Sequence, residues 1–204
     1  RLPDMTVAIN QFYLFKPKTG VRTGLLENIN VNTGLAFSNY VTTTEDQLFK
    51  KGMWDNLKTG AKNNISLSTN TTLAKYFTFT IAANADNVIT TKTLDKKYNP
   101  LTNLVEDNFV NGIAGYSTFS ASTSLQTVLY GQKNFSKTSP IVAIRHMVTP
   151  SMSFNYAPDF GDRSWGYFKD YSNARGEMTP YSIFEQGIYG APSSGLTQSV
   201  GFNI

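Results

Sequence analysis

Cysteine is absent from this chain, and His146 is its only histidine. The lack of cysteine excludes disulfides and thiolate metal sites, and no His-Asp-Ser arrangement can be read from the residue spacing. No run approaches the roughly 18 uninterrupted apolar residues of a membrane-spanning helix. A β-barrel is not excluded, because only every second residue of its strands needs to be apolar. These absences predict a protein that is not an enzyme and has no cofactor and no metal site.

Charge is also scarce. Charged residues make up 16% of the chain, below the usual share of about a quarter. Lys and Arg total 18 against 14 Asp and Glu, and the basic residues form no stripe with interleaved aromatics, so no nucleic-acid partner is expected. Ser, Thr and Asn are abundant instead, and aromatics reach 13%. This composition is typical of strands that have an uncharged polar face.

Alternation with a period of two dominates the sequence. From residue 29 to 41 the odd positions are mostly apolar, and the even positions are mostly small or polar. The pattern recurs over 64–73, 76–85, 119–126, 148–156 and 196–204, and less regularly over 5–15 and 181–190. Such alternation predicts strands with one apolar face. We therefore expect an all-β, antiparallel protein of about eight strands, each 9–11 residues or longer if they span a bilayer.

The connections between these strands alternate between short and long. Short turns are expected at about 17–23, 74–75, 131–140 and 191–195, and long loops at about 42–60, 92–110 and 158–180. A transmembrane barrel has short periplasmic turns at one rim and long extracellular loops at the other. Aromatic residues near the strand ends suit the two membrane interfaces. The pattern predicts a transmembrane β-barrel segment in a bacterial outer membrane.

Three sequence blocks resemble a known family. Residues 143–156 contain Arg145-His146, followed by Pro150 and Tyr156, and Pro-Asp-Phe-Gly-Asp begins at position 158. The opening residues 2–16 and the block 181–195 are similar to the same family. The chain resembles the barrel of the Bacteroidetes-type LptD family, the outer-membrane proteins of lipopolysaccharide assembly.

The resemblance implies a barrel of about two dozen strands, within the range known for outer-membrane barrels. Such a barrel inserts lipopolysaccharide into the outer leaflet. Its partners would be lipopolysaccharide, outer-membrane lipid, an LptE-like plug lipoprotein and a periplasmic bridge protein. This chain would then be part of a larger barrel, because its last strand ends in mid-pattern. Its open edges need partners, either the remaining strands or the barrel-assembly machinery holding an incomplete barrel.

Arg145, His146 and Pro150 are the candidate lumen or seam residues. By phase His146 lies on the apolar face, an expensive place for a charge, and a bulge near Pro150 would turn it towards the lumen. His146 is thus either a lumen residue near the lipid path or a structural residue near the short-turn rim. Pro150 removes a ladder donor, which predicts either a weak seam for lateral exit or a local bend.

Four acidic residues of the last long loop, Asp159, Asp162, Asp170 and Glu177, allow a divalent-cation site or a solvated loop. Their spacing does not fit an EF-hand, which favours the solvated loop. For the whole chain, the alternative functions are another outer-membrane barrel, such as a porin or a ligand-binding receptor, and a soluble or fibrous β protein.

Overall fold

The computed structural model describes residues 3–15, 20, 24–136 and 141–204. Nearly all regular structure in these residues is β-strand, and the one α-helix, α1 (Lys51–Asp55), is short. No helix among the described residues has the length and apolar character needed to cross a membrane. The strands are β1 Met5–Tyr13, β2 Asn30–Tyr40, β3 Lys58–Leu73, β4 Phe77–Asn99, β5 Leu104–Thr127, β6 Leu129–Asn134, β7 Ala143–Val148, β8 Ser151–Ala157, β9 Phe168–Ser172, β10 Met178–Ser182 and β11 Thr197–Asn203.

Seven strands form one antiparallel sheet in the order β1-β2-β3-β4-β5-β8-β11. The remaining strands form two antiparallel hairpins, β6-β7 and β9-β10. The large sheet does not close on itself, so β1 and β11 are its edges. The prediction of an all-β, antiparallel fold is confirmed, and the open sheet is consistent with a segment of a β-barrel.

The strand register brings the apolar positions of all seven strands onto one side of the sheet, called here the apolar face. Leu67 is opposite both Val31 and Ala83, and Phe154 is opposite both Thr123 and Val200. Val31 is buried, but most of the large apolar side chains on this face are exposed. Large members of the face that remain exposed are Met5, Val7, Ile9, Leu35, Leu67, Phe77, Ile81, Phe119, Leu125, Met152, Phe154, Val200 and Phe202. A continuous exposed apolar surface of this extent is expected where a protein meets lipid.

The opposite side of the sheet, called here the polar face, is built from Ser, Thr, Asn and small residues. Side chains of opposed residues are hydrogen bonded across it. The Ser66 hydroxyl donates to Asn84 Oδ1 at 2.7 Å, and the Ser68 hydroxyl donates to Asn30 Oδ1 at 2.8 Å. The Lys62 ammonium group pairs with the Asp86 carboxylate at 3.1 Å. The charge on this face is thus partly neutralised within the sheet.

The tight turn predicted at 74–75 is present. Ala74 and Lys75 both have positive φ, 48° and 67°, and the Tyr76 amide donates to the Leu73 carbonyl at 3.2 Å. Left-handed conformations at both central residues are typical of tight hairpin turns. The turn predicted at 17–23 lies outside the described residues except for Gly20.

The prediction of a long loop at 92–110 is wrong. β4 and β5 stay paired well beyond their neighbours, with Leu94 opposite Phe109 and Lys97 opposite Glu106, and the chain reverses only at 100–103. Polar and charged residues interrupt the alternation there, which hid the strands from sequence reasoning. The first loop is close to its prediction, because the connection runs over 41–57 and β3 begins at Lys58.

The turn predicted at 131–140 starts later than expected, since residues 131–134 belong to β6. The connection to β7 runs over 135–142, of which 137–140 lie outside the described residues. The β6-β7 hairpin continues the β5-β8 pairing without a register shift. Gln126 is opposite Ser151 and Leu129 is opposite Val148, so each strand advances by three residues between these pairs.

Candidate functional site

Residues 158–196, called here the strap, connect β8 to β11, and their later part packs on the polar face. They include the β9-β10 hairpin. The long loop predicted at 158–180 therefore contains paired strands. The prediction of a strand over 181–190 is wrong, because only Tyr181 and Ser182 of this range are in a strand. The short turn predicted at 191–195 is the last part of a longer connection, 183–196.

A cluster of buried side chains lies under the strap. Val88 and Tyr116 are opposite each other in β4 and β5, and Phe184 of the strap packs on them. The rings of Tyr116 and Phe184 are 4.9 Å apart between centroids, a distance at which tilted rings attract each other. Phe184 is only 2% exposed. The strap is therefore packed onto the polar face, at the end of the sheet remote from the 74–75 turn.

Hydrogen bonds attach the strap to three strands, β2, β4 and β5. The Tyr189 hydroxyl donates to the Ala36 carbonyl at 3.1 Å, and the Tyr116 hydroxyl donates to the Gly190 carbonyl at 3.0 Å. The Leu94 amide donates to the Ile183 carbonyl at 2.8 Å. The strap also approaches β3 closely at Gly60, where a Cβ atom would lie 2.6 Å from Ile188 Cγ2 of the strap. The missing side chain makes room for the strap.

The extended β4-β5 hairpin supplies an ionic contact to the strap. Lys96 Nζ lies 2.5 Å from Glu185 Oε1, and this hydrogen-bonded carboxylate raises the pKa of Lys96 above its ordinary value. The Lys96 amide donates to the Tyr181 hydroxyl at 3.2 Å. Burial raises the pKa of Tyr181, which favours the neutral phenol in this position. The segment predicted as a loop at 92–110 thus helps to hold the strap.

The block Asp159-Phe160-Gly161 closes the strap. Asp159 Oδ1 accepts hydrogen bonds of 2.7 Å from the amides of Gly161 and Gly195, so one carboxylate joins the beginning of the strap to its end. A Cβ atom at Gly161 would lie 2.9 Å from Ser194 Cβ. Phe160 is only 1% exposed and stacks edge-on against Phe119. Each residue of the block has a structural role.

Tyr167 covers an exposed strand edge. β5 pairs with β8 only over Ala121–Gln126 of its length, so its backbone beyond Ala121 lacks a strand partner on that side. The Tyr167 hydroxyl accepts from the Ser117 amide at 3.0 Å and donates to the Ser117 carbonyl at 3.2 Å. It therefore takes the place of a neighbouring strand, which protects the edge from pairing with other chains.

The structure does not bring Arg145, His146 and Pro150 to the strap. Arg145 and His146 lie in β7, opposite Gln132 and Gly131, on the hairpin that extends past the 74–75 turn. The unbroken register leaves His146 in phase with the apolar face, and the bulge considered near Pro150 is absent. The Arg145 guanidinium lies 4.9 Å from the centre of the Tyr130 ring.

The acidic residues of the strap are separated into individual contacts. Asp162 accepts from the Ser164 amide at 2.8 Å, and hydrogen bonds with Ser164 lower the pKa of Asp162. Asp170 pairs with Arg163, and Glu177 accepts from Asn173. Among the described residues no three His, Asp or Glu side chains are grouped to hold a metal ion.

Sequence reasoning missed the strap as a unit, although its residues carried a signal. The block 181–190 contains three aromatic residues and two glycines, without a consistent apolar face.

A family model described as "LptD protein" matches residues 1–204, the whole chain. No curated protein and no solved structure matches it.

Proposed function

The chain belongs to the LptD family, which acts in lipopolysaccharide transport at the outer membrane, and we propose that it forms part of the translocon wall that inserts lipopolysaccharide into the outer leaflet. The observation that carries this proposal is the two-sided sheet. Its exposed apolar face suits the bilayer, and its opposite face carries uncharged polar side chains suited to a glycan. Family membership argues for transport or assembly and against chemistry on a substrate.

In this proposal the polar face lines the interior of the barrel, and the strap narrows that interior from within. The long connections then lie outside the cell and the 74–75 turn lies in the periplasm, as the alternation of connections indicates. Hydroxyl and amide groups of Ser, Thr and Asn offer many weak hydrogen bonds, which allow a saccharide to bind and leave. Mutual pairing of Lys62 with Asp86 avoids strong attachment to one charged group.

The acyl chains need a different route, because a polar interior does not accept them. Pro150 has no amide hydrogen, and the pairing is interrupted at Val128 and at 149–150. The Thr127 amide nevertheless donates to the Pro150 carbonyl at 3.1 Å. The preserved register and this hydrogen bond support a local bend at Pro150 rather than an open seam. We therefore place the lateral exit away from the β5-β8 pair.

The edges β1 and β11 determine which partners the sheet needs. Within the described parts of the chain neither edge pairs with a strand on its outer side, and in the assembled barrel each edge would pair with further strands. During assembly the barrel-assembly machinery would cover the same edges. An LptE-like plug lipoprotein inside the barrel and a periplasmic bridge protein delivering lipopolysaccharide complete the proposed set of partners.

Controlled depletion of the full-length protein tests the function. We expect lipopolysaccharide to disappear from the cell surface and to accumulate at the inner membrane or in the periplasm, measured by surface labelling and membrane fractionation. Unchanged surface lipopolysaccharide would refute the proposal. Liposome swelling with the intact protein distinguishes a translocon from a porin. A translocon whose interior is narrowed by the strap should admit small sugars more slowly than a porin does.

A further inference from the structure

Lys58 lines three cavities at the strap end of the polar face. One cavity of about 290 Å³ opens towards the connection 41–57, and one of about 510 Å³ opens towards the strap; a much smaller third cavity lies between them. The larger two lie at the lower end of the size range typical of small-molecule pockets, about 300–1,000 Å³. Lys92 lines the first cavity together with Lys58.

These two lysines differ from the other lysines of this region. Lys62, Lys96 and Lys97 each have a carboxylate within ion-pair distance, at 2.5–3.1 Å. The ion pairs found within the described part of the chain include neither Lys58 nor Lys92. Lys92 Nζ donates to a backbone carbonyl, that of Asp55. Lys58 and Lys92, both half-buried residues, thus line one cavity, and neither has a carboxylate partner among the described residues.

The rest of the cavity wall suits a sugar. The rings of Tyr40 and Phe109 line it and remain half exposed, which offers flat apolar surfaces to the C–H groups of a pyranose. The Tyr40 hydroxyl accepts a hydrogen bond of 2.9 Å from Thr42, which leaves its own proton available for a ligand oxygen. Tyr40 is opposite Lys58 in the β2-β3 pairing, so hydroxyl and ammonium groups approach the ligand from neighbouring strands.

We propose that Lys58 and Lys92 form a binding site for an anionic sugar, either a sugar phosphate or a sugar carboxylate, at the strap end of the polar face. The ammonium groups bind the anion through charge-assisted hydrogen bonds, and the aromatic rings contact the sugar. This inference deepens the proposed function, because it assigns a position where charged groups of a glycan rest along the polar face. Asp55 also lines this cavity, and its negative charge opposes anion binding.

Acylation of amines in the full-length protein in detergent tests the site. Each lysine is followed by mass spectrometry, with glucose 1-phosphate, glucuronate, glucose or sodium chloride of matched ionic strength added. We expect either anionic sugar to slow acylation of Lys58 and Lys92, by about twofold at a concentration equal to Kd. Lys51 and Lys97 serve as controls in the same region and should react at unchanged rates. Equal effects of glucose or sodium chloride on Lys58 would overturn the proposal.

Variants give an independent measurement by equilibrium dialysis of labelled glucose 1-phosphate. K58Q should lose most of the binding, K51Q should keep it, and D55N should bind more tightly because an opposing charge is removed. Unchanged binding in K58Q would also overturn the proposal, provided that its heat-modifiable gel mobility matches the parent. Inorganic phosphate binding as tightly as glucose 1-phosphate would overturn the role of the sugar ring. Sugar binding is measured on purified protein, whereas the depletion experiment is done in cells, so the binding site and the proposed function are tested independently.

Discussion

The Asp159 carboxylate is hydrogen bonded to the Gly195 amide at 2.7 Å, across 36 positions of the chain. The same Oδ1 atom accepts from the Gly161 amide at 2.7 Å. One side-chain oxygen therefore fixes both ends of the strap, and the strap is a closed loop attached to the sheet rather than a free connection between strands.

Asp159→Ala should loosen the strap ends. It removes the acceptor of two amides, and the loss of these hydrogen bonds should cost about 1–3 kcal/mol. The lower value is expected because Gly195 is exposed. Hydrogen exchange at Gly161 and Gly195 measures the change. Asp159→Asn keeps an Oδ1 acceptor and should retain most of the protection, so equal exchange in the two variants would contradict this role.

Gly60→Ala should displace the middle of the strap. The new Cβ would lie 2.6 Å from Ile188 Cγ2 and 2.9 Å from the Ile89 carbonyl oxygen, and such overpacking typically costs about 1–3 kcal/mol. We expect faster proteolysis within 181–190 in the folded protein. Gly112→Ala is the matched control, because no atom lies within 4 Å of its Cβ position. Equal proteolysis of both variants would show that the strap does not rest on Gly60.

The strap should detach at alkaline pH. Since Glu185 raises the pKa of Lys96 in the folded state, the stabilisation is complete below the ordinary lysine value of 10.5 and is lost as pH rises through the raised pKa. Cleavage of the strap by subtilisin between pH 8 and 12 measures this loss. Lys96→Arg keeps its charge at higher pH and should move the transition upwards. A transition that stays in place would belong to Tyr181, whose raised pKa predicts loss in the same direction.

Charge should be tolerated on only one face of the sheet. Ile81→Arg places a guanidinium group on the apolar face, where a bilayer imposes about 2–4 kcal/mol at its midplane. Ser124→Arg places the same group on the polar face, because Ser124 is opposite Thr80, and should cost far less. Urea unfolding of the full-length protein in lipid vesicles compares the two variants. Equal losses of stability would contradict the lipid-facing assignment of Ile81.

The sequence predicted the parts of the fold that depend on local alternation. The strands around residues 29–41 and 64–85, the turn at 74–75 and the apolar face all follow from side chains alternating with a period of two. Lys96 and Lys97 broke that alternation, because their charges pair with Glu185 of the strap and with Asp95 of the same strand. The end of β4 is stabilised by pairing with β5 and by contacts with the strap, so its sequence shows no alternation that would predict a strand.

The strap could not be predicted for a related reason. Phe184 and Tyr181 are buried against β4 and β5, which are distant in sequence, so their apolar character suggested a strand. The acidic residues of the strap looked like one group in sequence, but the 3-10 turn at Arg163–Trp165 and the β9-β10 pairing separate them. The motif blocks that carried the family resemblance were the better guide, since Asp159, Phe160 and Gly161 each make specific contacts.

The hydrogen bond between Tyr189 and Ala36 joins residues 153 positions apart, which has a consequence for the order of folding. Hairpins such as β3-β4 close over a few residues, whereas the strap finds its contacts only after β2, β3, β4 and β5 lie side by side. We expect the strap to dock last. The interior of the barrel would thus stay open while its wall is being built, and it would narrow only when the neighbouring strands are in register.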